Sequence, residues 1–581
     1  MNLADIHSPA DIKGMDAEDL MLLSARLRTV LINKLAARGG HVGPNLGVVE
    51  ATVALHYVFD APKDKIVFDV SHQSYVHKML TGRIDAFIDP AKYGDVTGYT
   101  NPRESDFDLF SMGHTSSSLS LACGLAKARD IAGGDENVVA FIGDASLGGG
   151  EALEGLDTGG TFKSNFIVVV NDNQMSIAEN HGAVYEALRE LRESNGMSPN
   201  NIFRNFGYEY LYVREGNDLR ELVKAFSAVK GSDRPVVVHI NTMKGLGLPV
   251  AEVEKEKFHW HVPFDMKSGA ALNPQRSLSY PDLFARQMLR KIEEDNRVVV
   301  LTAGTPGAIG FTAERRAAAG DRFVDVGIAE QDAVAMAAGI AKGGGRPVFG
   351  VMATFLQRAY DQLSQEVAIN RLPVVAVTFG TGVFGIPDET HLGFFDIAMI
   401  SNIPGILLLA PSTPQEFEEM IDWALEQDKV PVVVRCPTYP FESETRVLPE
   451  KFTGPSYRIV EEGSRVAIIA EGGFLGRATK AAALLREEGI APTVVQARML
   501  SDVDRKVLDS LRGYDLVVTL EDGILDGGFG QKVASYMAQF PVRTICKGLP
   551  KEFLNGYNAS DLLKSLGLMP DRIAAEIKER L

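Results

Sequence analysis

Short apolar runs alternate along the chain with longer segments in which apolar residues recur at helical spacing. Apolar runs of about four to eight residues bounded by turn residues are typical of strands that are buried on both faces. A strand, a helix-length segment and another strand predict parallel pairing. The pattern therefore predicts an α/β protein with strands at 65–70, 137–143, 165–172, 235–242, 298–304, 322–329, 346–352, 373–380, 405–411, 431–436, 465–473, 492–500 and 516–522.

The predicted elements fall into three blocks. These cover residues 1–273, 281–450 and 451–581, and the polar stretch at 267–280 reads as a linker. A chain of 581 residues is too long for one hydrophobic core. We therefore expect three doubly wound α/β domains, with functional sites at the carboxyl ends of parallel strands.

Composition limits the classes of partner. Apolar residues make up 45% of the chain and charged residues 23%, as in soluble globular proteins. The net charge of −17 argues against nucleic acid or an anionic membrane. No apolar run approaches the roughly 18 residues that span a bilayer. Cys123, Cys436 and Cys546 form no CxxC pair, and the first residues lack the features of a signal peptide. We expect a cytoplasmic protein whose partners are small molecules.

One segment carries the strongest chemical signal. An apolar run ends in Gly143-Asp144, and the next one ends just before Asn173, 29 positions after Asp144. That is about the length of one strand–helix–strand crossover, so both side chains can meet at adjacent strand ends. With a nearby backbone carbonyl, they would supply hard oxygen ligands for Mg²⁺, and helix N–H groups after Asp144 would bind its phosphate partner. The alternative is an ordinary strand–helix–strand unit.

Together these residues resemble the binding motif for thiamine diphosphate, with Ala145 in place of the usual second glycine. Further motifs follow in the order of one family: GGHVGPNLGVVEATVALHYVFD, DVSHQSYVHKMLTGR, GHTSSSLS, DVGIAEQDAV and TFLQRAYDQ. The chain resembles the 1-deoxy-D-xylulose-5-phosphate synthase family of the transketolase superfamily over nearly its full length. The resemblance implies a diphosphate-binding domain at 1–273, a pyrimidine-binding domain at 281–450, a transketolase C-terminal domain at 451–581, and a homodimer.

The resemblance also implies a set of ligand contacts. Mg²⁺ would be held by Asp144, Asn173 and Met175. Glu330 would bind ring N1′ of the cofactor and Phe355 would stack on its pyrimidine ring. The alternatives are an acid stabilised by a helix N-terminus and an ordinary core phenylalanine. The complete set of implied cofactor contacts is His72, Gly113, His114, Thr115, Gly143, Asp144, Ala145, Ser146, Asn173, Ile328, Glu330 and Phe355.

Histidines at loop positions are candidates for proton transfer, because histidine titrates near neutral pH. By resemblance, His41 and His72 handle protons or orient the donor substrate, and His391 lies on the acceptor side with Arg358. A lone histidine is more often structural than catalytic, and four remaining histidines have no clear role: His56, His77, His259 and His261.

The chain departs from the family pattern on the acceptor side. Met352 stands where the family has tyrosine, Gly380 and Thr438 stand where it has arginine, and Pro387 stands where it has aspartate, with Asp388 adjacent. Asp332 and Leu248 are further departures. Each charged hydrogen bond to a phosphate contributes about 1.5–3 kcal/mol, so the lost arginines point to a different acceptor. The alternative is compensation by other cationic residues: Arg371, Arg435 or Arg477.

A second departure follows the NDNQMSIAEN motif. The family carries a long mobile insertion there, whereas residues 181–201 are short and polar in this chain. The pattern indicates either a reduced lid over the site or a simple surface helix-turn.

The sequence thus predicts a transferase that depends on thiamine diphosphate and Mg²⁺. By resemblance it condenses pyruvate, with loss of CO₂, and glyceraldehyde 3-phosphate to 1-deoxy-D-xylulose 5-phosphate, a step of isoprenoid biosynthesis. Two alternatives stay open. One is a paralogue or transketolase with another aldehyde acceptor or a ketose donor, and the other is a catalytically inactive cofactor-binding paralogue.

Overall fold

The computed structural model describes residues 2–274, 279–438 and 451–581. Part of the predicted linker, at 275–278, and the predicted end of the second block, at 439–450, lie outside the described residues. The chain forms two compact units, which are Met1–Gln275 with Gly327–Ala329, and Arg276–Val326 with Glu330–Leu581. The three predicted domain boundaries stay predictions.

The first unit is built on a parallel sheet. Within residues 2–274 its five strands run in the order β1-β2-β3-β5-β4. The central strands are buried and mostly apolar, as expected where helices cover both faces of a sheet. The strands are β1 Lys65–Phe68, β2 Val138–Gly143, β3 Phe166–Asp172, β4 Glu209–Val213 and β5 Pro235–Asn241.

Helices of the first unit connect and flank these strands. They are α1 Ala17–Arg38, α2 Gly43–Gly47, α3 Val49–Val58, α4 Tyr75–Lys78, α5 Asp85–Ile88, α6 Ser118–Ala132, α7 Asp144–Leu147, α8 Gly150–Gly159, α9 Ala183–Glu193, α10 Ile202–Asn205, α11 Leu219–Val229 and α12 Pro249–Val253. Single 3-10 or π turns occur at Leu3–Asp5, Pro9–Ile12, Met79–Arg83 and Pro90–Lys92.

The end of α1 illustrates how local sequence positions a site residue. Asp16 caps the helix by accepting hydrogen bonds from two backbone N–H groups, and Gly39 ends it with a φ of 78°. A Cβ atom at Gly39 would lie 2.4 Å from the carbonyl oxygen of His261. Only glycine fits this turn, which delivers His41 to its position two residues later.

The second unit contains two sheets. In the first, the strands described within 279–438 are all parallel, in the order β10-β11-β9-β8-β6-β7. In the second, which lies in residues 451–581, the order is β12-β14-β13-β15-β16. The strands are β6 Val298–Thr302, β7 Phe323–Asp325, β8 Arg346–Met352, β9 Val375–Phe379, β10 Leu407–Leu409, β11 Val432–Arg435, β12 Arg458–Glu461, β13 Val466–Glu471, β14 Thr493–Ala497, β15 Leu516–Ile524 and β16 Arg543–Leu549.

Helices of the second unit pack on both of these sheets. They are α13 Tyr280–Glu294, α14 Ala313–Ala319, α15 Glu330–Lys342, α16 Ala353–Leu356, α17 Tyr360–Gln362, α18 Asp396–Ile400, α19 Pro414–Glu426, α20 Leu475–Glu487, α21 Arg505–Ser510, α22 Phe529–Met537, α23 Ala559–Ser565 and α24 Pro570–Arg580. Single 3-10 or π turns occur at Pro306–Ile309, Gly320–Arg322, Gln357–Ala359, Leu363–Ala368 and Gly472–Phe474. None of the helices among the described residues could cross a membrane.

Three edge strands differ from the expectation. The sequence pattern did not predict β4, β12 or β16. These strands contain polar and partly exposed residues, so they lack the apolar runs seen in central strands. The strand β12 pairs antiparallel with β14, so the last sheet is mixed and the expectation of purely parallel sheets is wrong there. An antiparallel edge strand on an otherwise parallel sheet is common in α/β folds.

A buried ionic cluster ties the two sheets of the second unit together. Arg435, at the end of β11, donates hydrogen bonds to Asp396 at 2.7 Å and to Asp522 at 2.5 Å. Its Nη1 atom also lies 3.5 Å from a carboxylate oxygen of Glu471. Burial and the neighbouring charges raise the pKa of Glu471 well above its ordinary value. The guanidinium therefore offsets several carboxylates that burial would otherwise leave unpaired.

Replacing Arg435 with alanine should destabilise the protein by about 3–5 kcal/mol, because the buried carboxylates lose their cation. The matched control is Arg465→Ala, whose side chain is 67% exposed in its pair with Asp515. That variant should change the free energy of unfolding by less than about 1 kcal/mol. Urea unfolding of both variants measures the difference, and equal effects would contradict the role given to the cluster.

Candidate active site

The structure brings Asp144 and Asn173 to the ends of adjacent strands. The strands β2 and β3 pair in parallel, with Gly143 opposite Asn171. Asp144 follows β2 directly and is 1% exposed, and Asn173 follows β3 and is also buried. This is the placement that the spacing in the sequence predicts.

The chain after Asn173 forms a tight turn. The side-chain oxygen of Asn173 accepts a hydrogen bond from the N–H of Met175 at 3.2 Å. Gln174 has a φ of 64°, in the left-handed region, and Met175 bridges to Glu179. The side-chain amide of Asn180 then donates to Oδ2 of Asp144 at 2.8 Å. The turn thus keeps Asn173 and Met175 next to each other and returns the chain to Asp144.

The electrostatic environment of Asp144 favours a bound cation. Burial, followed by repulsion from Asp172, raises the pKa of Asp144 to about 8. Burial alone would also raise the pKa of Asp172, but hydrogen bonds from His239 and Arg192 keep it below its ordinary value. A divalent cation beside Asp144 would favour its ionised form.

The donor set fits Mg²⁺ but is incomplete by itself. No cluster of three or more His, Cys, Asp or Glu side chains in the described residues could hold a metal ion. A cation at Asp144 therefore needs the amide oxygen of Asn173, a backbone carbonyl such as that of Met175, and oxygens from a ligand. Mg²⁺ commonly binds in this way, through one or two carboxylates and substrate phosphates.

Three histidine rings and a tyrosine ring form a cluster in the first unit. The His41 ring lies 5.1 Å from that of His72, 5.8 Å from that of His259 and 5.6 Å from that of Tyr99. The rings of His72 and His259 stack at 5.3 Å. Burial, and then the charge of Lys244, lowers the pKa of His259 well below its ordinary value. The cluster therefore contains at least one imidazole that stays neutral near pH 7.

Two members of this region were missed by the sequence reasoning. Lys244 is buried and donates to the carbonyl of Ser176 at 2.5 Å, and its Nζ lies 3.2 Å from Nδ1 of His259. Burial lowers the pKa of Lys244 to about 7. The KGLGL segment was considered only at Leu248, and His259 was left without a role. No local sequence pattern around Lys244 or His259 reveals the contacts that these side chains make.

The loops that carry His72 and His114 are tied together by Asp69. This buried carboxylate accepts hydrogen bonds from the N–H groups of Ser116 at 2.9 Å and Ser118 at 3.0 Å. Burial raises its pKa. Left-handed backbone occurs beside it at Val70, Ser71 and Ser116. Such strain persists only where surrounding contacts impose it and is typical of functional sites.

The predicted diphosphate contacts lie in these connected segments. Gly113, His114 and Thr115 precede Ser116, whose hydroxyl donates to the carbonyl of Ser146 at 2.8 Å. Gly143, Ala145 and Ser146 surround Asp144 at the start of α7. Ile328 belongs to the same unit, and its carbonyl oxygen would lie 3.2 Å from a Cβ added at Gly149.

In the second unit, Glu330 is the buried acid at the start of α15. Its side chain is among the most buried, with 3% of the residue exposed. Burial raises the pKa of Glu330, and the guanidinium of Arg358, 4.0 Å away, opposes that rise. Among the described residues its Oε2 atom has no hydrogen-bond partner. The site therefore suits a ligand that offers a nitrogen or hydroxyl to this oxygen.

Phe355 and His391 lie beside each other, with ring centroids 5.6 Å apart in an edge-to-face arrangement. Nδ1 of His391 is 2.8 Å from the hydroxyl of Thr390 and 3.8 Å from the carboxylate of Asp388. Thr390 also donates to Asp388 at 2.5 Å. Burial would raise the pKa of Asp388, but these contacts lower it. Asp388 therefore orients His391. Asp388 directly follows Pro387, the residue that departs from the family pattern.

The segment around Gly380 is closed by other side chains. A Cβ atom at Gly380 would lie 2.4 Å from Cε of Met352, and the hydroxyl of Thr438 donates to the carbonyl of Thr381 at 2.6 Å. Neither position offers a cation.

The proposed replacement cations are not gathered at this segment. Arg435 is buried against three carboxylates, so compensation by Arg435 is contradicted. Arg477 points its Nη1 at Met569 and the carbonyl of Leu568. Arg371 is exposed in the loop before β9. Arg358 has its described ion pair with Glu330, at 4.0 Å.

The other histidines have packing roles. His77 bonds to His56 at 2.9 Å and to Asp108 at 2.8 Å, in a fully buried network whose burial lowers the pKa of both rings. His261 stacks on Phe258 at 4.8 Å. These contacts favour the structural interpretation.

Three regions of the chain match known families. Residues 3–199 match the family described as 1-deoxy-D-xylulose-5-phosphate synthase. Residues 276–439 match the transketolase pyrimidine binding domain, and residues 456–573 match the transketolase C-terminal domain. The fold and the domain matches define the class of protein, which is a transferase of the transketolase superfamily.

Relatives that align over nearly the whole chain identify the family within this superfamily. The synthase of Symbiobacterium thermophilum is 40% identical and aligns over 99% of this chain and 94% of its own length. That of Shouchella clausii is 37% identical over 99% of this chain and 98% of its own. The chain belongs to the 1-deoxy-D-xylulose-5-phosphate synthase family. The predicted family and α/β fold class are confirmed.

One solved structure that aligns with the chain is a transketolase from Campylobacter jejuni. It is 16% identical, with a TM-score of 0.45, over 97% of this chain and 100% of its own length. The assignment to the family rests on the sequence relatives.

Replacing Asp144 with alanine should abolish Mg²⁺-dependent binding of thiamine diphosphate, because the metal loses its charged ligand. We expect the affinity to fall by at least about 100-fold. The control is Asp157→Ala on α8, where the side chain is exposed. Calorimetric titration of both variants checks this, and unchanged affinity in Asp144→Ala would rule out the metal role.

Replacing Glu330 with glutamine should lower kcat by about 10²–10⁴-fold, because an amide cannot hold or exchange a proton at the position of the carboxylate. Glu314→Gln, at an exposed position on α14, should keep the wild-type rate. Steady-state kinetics with pyruvate and glyceraldehyde 3-phosphate measure both. A Glu330→Gln variant with near wild-type kcat would refute the assignment.

Proposed function

We propose that this protein condenses pyruvate with glyceraldehyde 3-phosphate, with loss of CO₂, to form 1-deoxy-D-xylulose 5-phosphate, using thiamine diphosphate and Mg²⁺. The observation that carries the proposal is the buried Glu330 carboxylate, whose Oε2 atom lacks a hydrogen-bond partner in the described part of the chain. Membership of the synthase family supplies the substrates and product by analogy.

The candidate residues of each unit have distinct tasks. Asp144, Asn173 and the carbonyl of Met175 hold Mg²⁺, which neutralises the diphosphate. Bound thiamine diphosphate supplies the carbon nucleophile and stabilises the negative charge left by decarboxylation. Glu330 binds the pyrimidine N1′ atom and holds a proton there. Phe355 packs against the same ring.

Histidines carry the remaining proton transfers. His41 and His72 lie in one cluster with the neutral His259, so they can exchange a proton with a carbonyl oxygen of the donor substrate. His391, held by Thr390 and Asp388, serves the aldehyde oxygen of the acceptor. Arg358 adds a positive charge near Glu330.

We further propose that the protein works as a homodimer in the cytoplasm and that its product feeds isoprenoid biosynthesis. The net charge of −17 and the three cysteines, which are unpaired, are consistent with a soluble protein in a reducing compartment. The homodimer and the pathway are inferred from the family alone.

The test measures CO₂ release from pyruvate with thiamine diphosphate and Mg²⁺, with and without glyceraldehyde 3-phosphate. The proposal predicts that the acceptor stimulates release and that 1-deoxy-D-xylulose 5-phosphate accumulates in equal amount. The Glu330→Gln variant is the control for uncatalysed decarboxylation. Cofactor binding without turnover of any donor would instead support an inactive paralogue.

A second candidate is a related carboligase with a different aldehyde acceptor. Gly380, which lies against Met352, and Thr438, which is bonded to the backbone of Thr381, are uncharged, so neither position supplies a cation for a phosphate. In that case unphosphorylated aldehydes such as glyceraldehyde should stimulate CO₂ release more than glyceraldehyde 3-phosphate. Turnover of xylulose 5-phosphate without pyruvate would identify a ketose donor.

A further inference from the structure

The segment from Asn180 to Arg192 spans the two strand ends that carry Asp144 and Asn173. At its start, the amide of Asn180 donates to Oδ2 of Asp144 at 2.8 Å. In its middle, the Tyr185 hydroxyl donates to the carbonyl of Ala145 at 3.0 Å. Near its end, Nη1 of Arg192 donates to Oδ2 of Asp172. One short segment therefore contacts the end of β2 twice and the end of β3 once.

One face of the segment is docked, while the other face of α9 is exposed. Leu188 and Leu191 on α9 are fully buried in the core that packs against β2 and β3. Glu190 accepts hydrogen bonds from Ser198 and Asn200, which fasten the chain after the helix. A Cβ atom at Gly148 would lie 2.7 Å from the Tyr185 hydroxyl, so the tyrosine reaches closely over the end of α7. The segment is therefore a helix with one buried and one exposed face, and the choice between a reduced lid and a simple surface helix-turn stays open.

The last contact is set in a buried network. Asp172 is fully buried and accepts a hydrogen bond from Nε2 of His239 at 2.9 Å, while Nδ1 of His239 lies 2.8 Å from the hydroxyl of Tyr210. Arg192 supplies the permanent positive charge of this network, with a largely buried side chain. Because Asp172 immediately precedes Asn173, its partners restrict the backbone that presents the Asn173 amide oxygen.

We propose that residues 180–192 form a strap, and that Tyr185 and Arg192 are positioning residues that hold Asp144 and Asn173 in the geometry needed for Mg²⁺ and the diphosphate group. The inference rests on the proposed function, because that function assigns Asp144 and Asn173 to the metal. Tyr185 acts through Ala145, next to Asp144, and Arg192 acts through Asp172, next to Asn173. Neither residue needs to touch the cofactor.

Linkage gives the strap a measurable consequence. If docking of the strap favours binding of Mg²⁺ and thiamine diphosphate, the bound ligands must favour docking by the same factor. Backbone amides of α9 should then exchange with solvent more slowly when both ligands are present. If α9 only packed against the sheet, the exchange of its backbone amides would not depend on the ligands.

Two conservative variants test the contacts. Tyr185→Phe removes one hydroxyl and keeps the ring, and Arg192→Lys keeps the charge but loses the planar guanidinium. Each should weaken binding of thiamine diphosphate at saturating Mg²⁺ by about tenfold, as expected for groups that orient metal ligands. The KM for thiamine diphosphate should rise equally, while kcat at saturating cofactor stays unchanged. Ligand-dependent protection of α9 should fall in both variants.

Arg189→Ala is the matched control, because Arg189 lies on the same helix and pairs only with Glu186 and Glu193 in its described ion pairs. It should behave as wild type. The strap is refuted if Tyr185→Phe and Arg192→Lys bind like wild type while Asp144→Ala does not bind. If wild type itself shows no Mg²⁺-dependent binding, the proposed function fails and not the strap alone. Hydrogen exchange and calorimetry on the full chain distinguish these outcomes.

Discussion

The burial of negative charge at the ends of β2 and β3 is the constraint on which the site depends. Asp144 and Asp172 lie in adjacent strand ends away from water, and their repulsion helps to raise the pKa of Asp144. Arg192 and His239 offset the charge of Asp172. Asp144 receives a neutral amide from Asn180 instead of a bonded cation. The arrangement is thus suited to a metal ion that arrives with its own anionic ligand.

Buried negative charge is also important in the second unit, where Glu330 and the carboxylates around Arg435 differ in their partners. Glu330 is buried with Arg358 only at 4.0 Å, so its carboxylate retains capacity for a ligand. Arg435, by contrast, lies within 3.5 Å of three carboxylates and serves stability. The buried Arg435 and the partly buried Arg358 thus have different roles, and the distances to their partners separate them. Sequence alone treats both as candidate phosphate ligands.

The sequence predicted what depends on local pattern. Central strands such as β2 and β3 are uninterrupted apolar runs, so their positions and the meeting of Asp144 with Asn173 follow from spacing. The edge strand β12 lacks that pattern and was not predicted. Asp69, Lys244 and His259 were missed as well, because their contacts join segments far apart in the chain. The docking of α9 depends on tertiary contacts of Tyr185 and Arg192, which no local pattern reports.

The most direct test of the central claim is a crystal structure of the protein with thiamine diphosphate and Mg²⁺ bound. The account predicts a metal ion coordinated by the Asp144 carboxylate, the Asn173 amide oxygen, the Met175 carbonyl and diphosphate oxygens. It also predicts a Glu330 carboxylate oxygen within hydrogen-bond distance of N1′. A metal ion bound elsewhere, or a Glu330 side chain that does not contact the pyrimidine ring, would contradict it.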